Sequence, residues 1–139
     1  MKQIIVMIAT LPILLVLLMQ ITQSQVMASN LKSIEYYCLQ AEREASIEGY
    51  FPEETVTALK MNIAARLDIS EEDVIVTYTD ETNIKYRMHE YDPNNLIYYK
   101  VEFTIPKVMA GHRLFGILDE NNQADIVIER TLMSEKMAP

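Results

Sequence analysis

The sequence predicts an α+β protein: a long N-terminal helix, a second helix, and an antiparallel sheet of three to five strands. Three observations carry that expectation. No glycine interrupts residues 1–48, and the one proline there, Pro12, lies inside an apolar run. Apolar residues recur at helical spacing through 27–45 and again through 56–67. From residue 73 onward the pattern changes to alternation, in runs rich in β-branched and aromatic residues separated by polar turn clusters.

Composition bounds the answer. The chain has 139 residues and a mass of 16.0 kDa, with 50% apolar and 23% charged residues. Beyond the first 28 residues there is material for one domain, and the apolar content is too high for a disordered chain. A single cysteine leaves no disulfide framework and no cysteine-based zinc cluster. A net charge of -8 gives no electrostatic footprint for a nucleic-acid backbone. Three glycines leave little for a phosphate-cradling loop. No cofactor, metal, nucleic acid or small-molecule substrate is therefore expected.

The first element begins with residues 4–19, an apolar run preceded by Lys2 and embedded in an uncharged stretch, 3–31. Roughly 20 helical residues cross a hydrocarbon core, so the run needs 20–22 to reach that length. Two readings follow for residues 1–28. In the preferred one they form an uncleaved single-pass anchor. In the other they are a signal peptide, with Val26-Met27-Ala28 before Ser29 as the cleavage pattern. The positive charge before the run places the N-terminus inside and residues 29–139 outside the cytoplasm. Pro12 would kink a soluble helix but is tolerated in lipid.

The helix should continue past the run. Met27, Leu31, Ile34, Cys38, Ala41 and Ala45 are spaced 4, 3, 4, 3 and 4, a heptad-like seam. Lys32, Glu35, Gln40, Glu42 and Glu44 lie away from it, and Gly49 follows as a helix terminator. The seam reads first as the buried face of a helix in its own domain. A sharper reading packs part of it against other subunits, with Ala41 and Ala45 permitting close approach.

A second helix is expected over 52–67, with Pro52 at its first position, Glu53 and Glu54 in its first turn and Arg66 near its end. Val56, Leu59, Ile63 and Leu67 form its apolar stripe, and 68–72 is a polar connector. Strands are expected over 73–79, 84–88, 96–105, 114–118 and 124–133. The best of them puts Ile97, Tyr99, Val101, Phe103 and Ile105 on one face. The last puts Ile126, Ile128 and Leu132 on one face. Residues 80–83, 92–95 and 119–122 read as turns.

No constellation of catalytic chemistry emerges. His89 and His112 lack metal-ligand spacing, and Cys38 sits on the seam, where a free thiol is usually buried. An odd cysteine outside the cytoplasm could instead pair between subunits. Glu42, Glu44, Glu48, Glu53 and Glu54 cluster at the helix junction, and a solvated face explains them better than acid–base work or calcium binding. Tyr86, Tyr91, Tyr98 and Tyr99 fit cross-strand packing, with Tyr98 free for a partner contact. Without a nucleophile, base and oxyanion site, an enzyme is not expected.

The segment Ala41-Glu42-Arg43-Glu44-Ala45-Ser46-Ile47-Glu48-Gly49 resembles the end of the long helix in TadE-like minor pseudopilins of tight-adherence pilus systems. The strand at 74–78, the strand ending in Pro106 and the late Arg130…Ser134-Glu135 are similar as well. It also resembles a related group of small clostridial membrane proteins. The resemblance implies a type IV pilin-like architecture and a structural role in a pilus, secretion or conjugation machine, with the membrane and other pilin-like subunits as partners. The chain has no glycine before the apolar run and no glutamate early in it. The resemblance therefore implies a minor, initiating or accessory subunit rather than a polymerising one. The rival reading is a secreted or membrane-anchored binding module for a cell-surface partner or small ligand.

Overall fold

The computed structural model describes residues 2–87 and 92–139. Helix α1 (Lys2–Glu48) runs unbroken through Pro12, as the absence of other breakers requires. At about 1.5 Å per residue it is roughly 70 Å long, far more than one small domain can cover. Its first turns, residues 3–15, stand clear of the rest of the chain, and the apolar residues from Ile4 to Met19 are largely exposed. This is one helix long and apolar enough to cross a membrane.

Gly49 ends α1. Its φ of +80° is left-handed, and a Cβ there would lie 2.3 Å from the Lys85 carbonyl oxygen, so both backbone conformation and space require glycine. Helix α2 (Glu53–Leu67) then runs back along α1. Thr55 Oγ1 donates to Glu44 Oε2 at 2.6 Å near one end, and Arg66 Nη2 donates to Ser29 Oγ at 3.2 Å near the other. Pro52 is the residue before α2 rather than its first residue, and Asp68 in a left-handed conformation closes it.

The sheet is an antiparallel meander of β1 (Ile75–Tyr78), β2 (Ile97–Pro106) and β3 (Gln123–Leu132), in that spatial order. Tyr99 lies opposite Tyr78 on one side and Arg130 on the other. The alternation on β2 is as expected: Ile97, Tyr99, Val101, Phe103 and Ile105 are all buried. They pack with Val56, Leu59, Ile63 and Leu67 of α2 and the upper half of α1 in one core. Phe51 fills the junction, its ring 5.0 Å from that of Tyr99.

Two of the five expected strands are corrected. Residues 84–87 form no strand; Met88, His89, Glu90 and Tyr91 lie outside the described residues. Lys85 N donates to Gly49 O at 2.8 Å and Arg87 N to Lys136 O at 2.6 Å, so backbone donors in this segment serve the helix end and the C-terminal tail instead of a ladder. Residues 114–118 are not a strand either. A 3₁₀ turn (His112–Phe115) occupies that stretch, bounded by left-handed Gly111 and Gly116. The connector and turns at 71–73, 81–83, 93–95 and 119–121 are single 3₁₀ turns.

Candidate functional site

All six seam residues face the body of the domain. Ile34, Cys38, Ala41 and Ala45 are buried in the core, and Met27 and Leu31 are partly buried against it. Ala41 faces the junction with α2, beside Thr55, Ala58 and Leu59. A larger side chain here would hold the helices apart. The seam from 34 to 45 is therefore occupied by the chain's own α2 and sheet.

A charged clamp fixes α1 to the sheet. Arg130 of β3 belongs to the same inward-facing set as Ile126, Ile128 and Leu132, because period-two alternation puts 126, 128, 130 and 132 together. Its guanidinium donates to Glu35 Oε1 at 3.0 Å and Glu42 Oε1 at 3.2 Å. Glu35 and Glu42 are seven residues apart and so lie on one side of α1. The Tyr99 hydroxyl donates to the same Glu42 oxygen at 2.5 Å. Burial first, and then the bond to Glu42, push the Tyr99 phenol well above its usual range. Burial pushes the neighbouring Cys38 thiol up to about 11, with the bond to Tyr99 opposing. Such a thiol is a packed neutral group and a poor nucleophile at neutral pH.

The upper end is strapped by the C-terminus. Glu135 N donates to Ser46 O at 2.8 Å, and Lys136 Nζ lies 3.8 Å from Glu48 and 5.7 Å from the Tyr50 ring centre. The expected acidic cluster is thus dispersed: Glu42 in the clamp, Glu44 on Thr55, Glu48 near Lys136, and Glu53 and Glu54 in the first turn of α2. Among the described residues no group of three or more metal-ligating side chains comes together. His112 pairs with Asp119, while His89 lies outside the described residues.

The lower end holds what the sequence reading missed. Between residues 3 and 26 every side chain is exposed except Val16, Gln20 and Gln23. These continue the seam with spacing 4, 3 and 4 up to Met27. What covers them is the connection between β2 and β3, residues 107–122. Gln23 Nε2 donates to Lys107 O at 2.6 Å, and Ala110 N donates to Gln20 Oε1 at 2.9 Å. The base of this connection is closed by buried Asn122, whose amide accepts from Met109 N at 2.7 Å and donates to Met109 O at 3.0 Å. Asp119 accepts from Arg113 and His112, and those bonds, Arg113 first, lower its carboxyl to about 2.

The opposite face of α1 stays open. Tyr36, Leu39 and Ile47 are 57%, 48% and 60% exposed. With Gln40 and Arg43 they line a shallow groove that Leu132 and Glu135 complete. Comparison with known proteins finds no match to any family model, curated protein or solved structure.

Proposed function

We propose that the chain is a membrane-anchored, non-enzymatic structural subunit of pilin-like plan. Its N-terminus lies inside and its α+β domain outside the cytoplasm, where it acts in assembly of a Tad-type pilus or a related secretion or conjugation machine. One observation carries this reading: a single helix, α1, supplies both an exposed apolar run and, without a break, the central packing face of the domain. That construction transmits position in the membrane rigidly to the domain and suits a scaffold better than a catalyst.

Two further observations support it. The 107–122 connection uses the Gln20 and Gln23 side chains as hydrogen-bond partners, so cleavage after Ala28 would remove groups the domain itself uses. And the seam is filled internally, which leaves Tyr36, Leu39 and Ile47 as the face α1 offers to a neighbouring subunit.

The test replaces residues 4–19 with an unrelated apolar helix of equal length. Such a chain keeps an anchor, so simple loss of membrane attachment does not confuse the outcome. Cysteines placed singly at Tyr36, Leu39 and Ile47 should cross-link to other subunits in the natural host, and the replacement should greatly reduce that cross-linking. Cross-linking absent at all three positions in the natural chain would count against the subunit role.

A further inference from the structure

The 107–122 connection carries three large apolar side chains that its own fold leaves uncovered. Leu114, Phe115 and Leu118 are 75%, 61% and 60% exposed. The segment is nevertheless built: the Asn122 amide brackets Met109, Asp119 ties Arg113 and His112, and Gln20 and Gln23 hold it to α1. Three exposed apolar groups on a well-tied loop call for a partner more than the same groups scattered singly would.

The position of the loop on α1 identifies that partner. A Cβ built on Gly111 would lie 3.6 Å from both Val16 methyl groups and 3.7 Å from Leu114 Cδ1, so the start of the loop tip lies against α1 at Val16. Val16 belongs to the apolar run 4–19, roughly one helical turn below Gln20. A bilayer that takes up that run would therefore meet the loop where it adjoins Val16. From the geometry we infer that residues 112–118 form a second membrane contact, with Leu114, Phe115 and Leu118 entering the outer leaflet beside α1. This rests on the anchored reading above.

The polar groups of the loop fit such a site. Gln20 and Gln23 would be costly near lipid as free amides, and each makes one hydrogen bond to the loop backbone, which offsets part of that cost. The exposed Arg113 side chain pairs with Asp119, which offsets its charge while the guanidinium remains within reach of a headgroup phosphate. Two contacts, helix and loop, fix the rotation of α1 about its own axis as a single helix cannot. They would thereby hold the Tyr36, Leu39 and Ile47 face at a set bearing in the plane of the membrane.

The natural chain has no tryptophan, so single tryptophans report cleanly. The full chain carrying Phe115→Trp, or separately Leu14→Trp, is reconstituted into phosphatidylcholine–phosphatidylglycerol vesicles with or without brominated acyl chains. The inference requires blue-shifted emission from Phe115→Trp and a loss of intensity to brominated lipid comparable to that of Leu14→Trp. Phe115→Trp open to aqueous iodide while Leu14→Trp is quenched by bromine overturns the loop contact and leaves the anchor standing. Both positions open to iodide overturns the anchor, and the loop contact with it. Blue-shifted emission at 115 without bromine quenching assigns the loop to a protein contact and also overturns the inference. Should circular dichroism reveal that Phe115→Trp does not fold, Leu118→Trp carries the same comparison.

Discussion

At the scale of single residues the core contains two acids that it keeps neutral. Burial raises the Cys38 thiol from its ordinary 9.0 to about 11, and Tyr99 is raised by burial and by donating to Glu42. For a group whose folded value is raised, the unfolded chain loses its proton first as pH rises. The stabilisation is complete below pH 9.0 and is lost progressively between there and about 11 for Cys38; Tyr99 adds a further loss above its ordinary 10.0. The full chain in a mild detergent should therefore unfold at lower denaturant as pH rises from 8 to 11. Cys38→Ala should flatten the first part of that fall. A profile identical for the two chains would contradict the buried-thiol account.

At the scale of elements, α1 is held to the sheet by apolar packing and by Arg130. Arg130→Ala removes both carboxylate contacts and leaves Glu42, itself only partly exposed, with the Tyr99 hydroxyl. The groups are partly solvated, so the expected cost is about 1–2 kcal/mol. Adding Glu42→Gln should recover part of it, as measured by a double-mutant cycle in chemical unfolding. Full additivity would mean that the two groups do not interact.

Arg130 also marks a limit of reading elements from sequence. Alternation already put it with Ile126, Ile128 and Leu132, but an apolar face is sought by its apolar members, and a charge among them passes as noise. The false strand at 84–88 has a different cause. Ile84 and Tyr86 alternate as strand residues do, yet Lys85 and Arg87 donate to Gly49 and Lys136, partners far away in sequence that no local pattern announces. The false strand at 114–118 carries its own warning, because Gly116 lies inside it and Gly111 shortly before it, and both adopt left-handed conformations. The upper seam was legible, since polar residues on the other face set its phase. Its continuation through Val16, Gln20 and Gln23 was not: 4–19 is apolar on nearly every side and 20–25 is polar on nearly every side, so neither stretch reveals phase.

At the scale of the whole molecule, helix and sheet order follow from periodicity, while the role follows from how α1 is shared. Its lowest part, residues 4–15, is exposed and almost wholly apolar, its upper half is the spine of the domain, and the 107–122 connection grips the stretch between them. That arrangement has meaning only if residues 1–28 remain on the mature chain. Intact mass of the protein recovered from the membrane fraction of its natural host tests this most directly. The account requires the mass of the full chain, with or without Met1. A mass beginning at Ser29, with the protein in the medium, would contradict it and make the secreted binding module the better account.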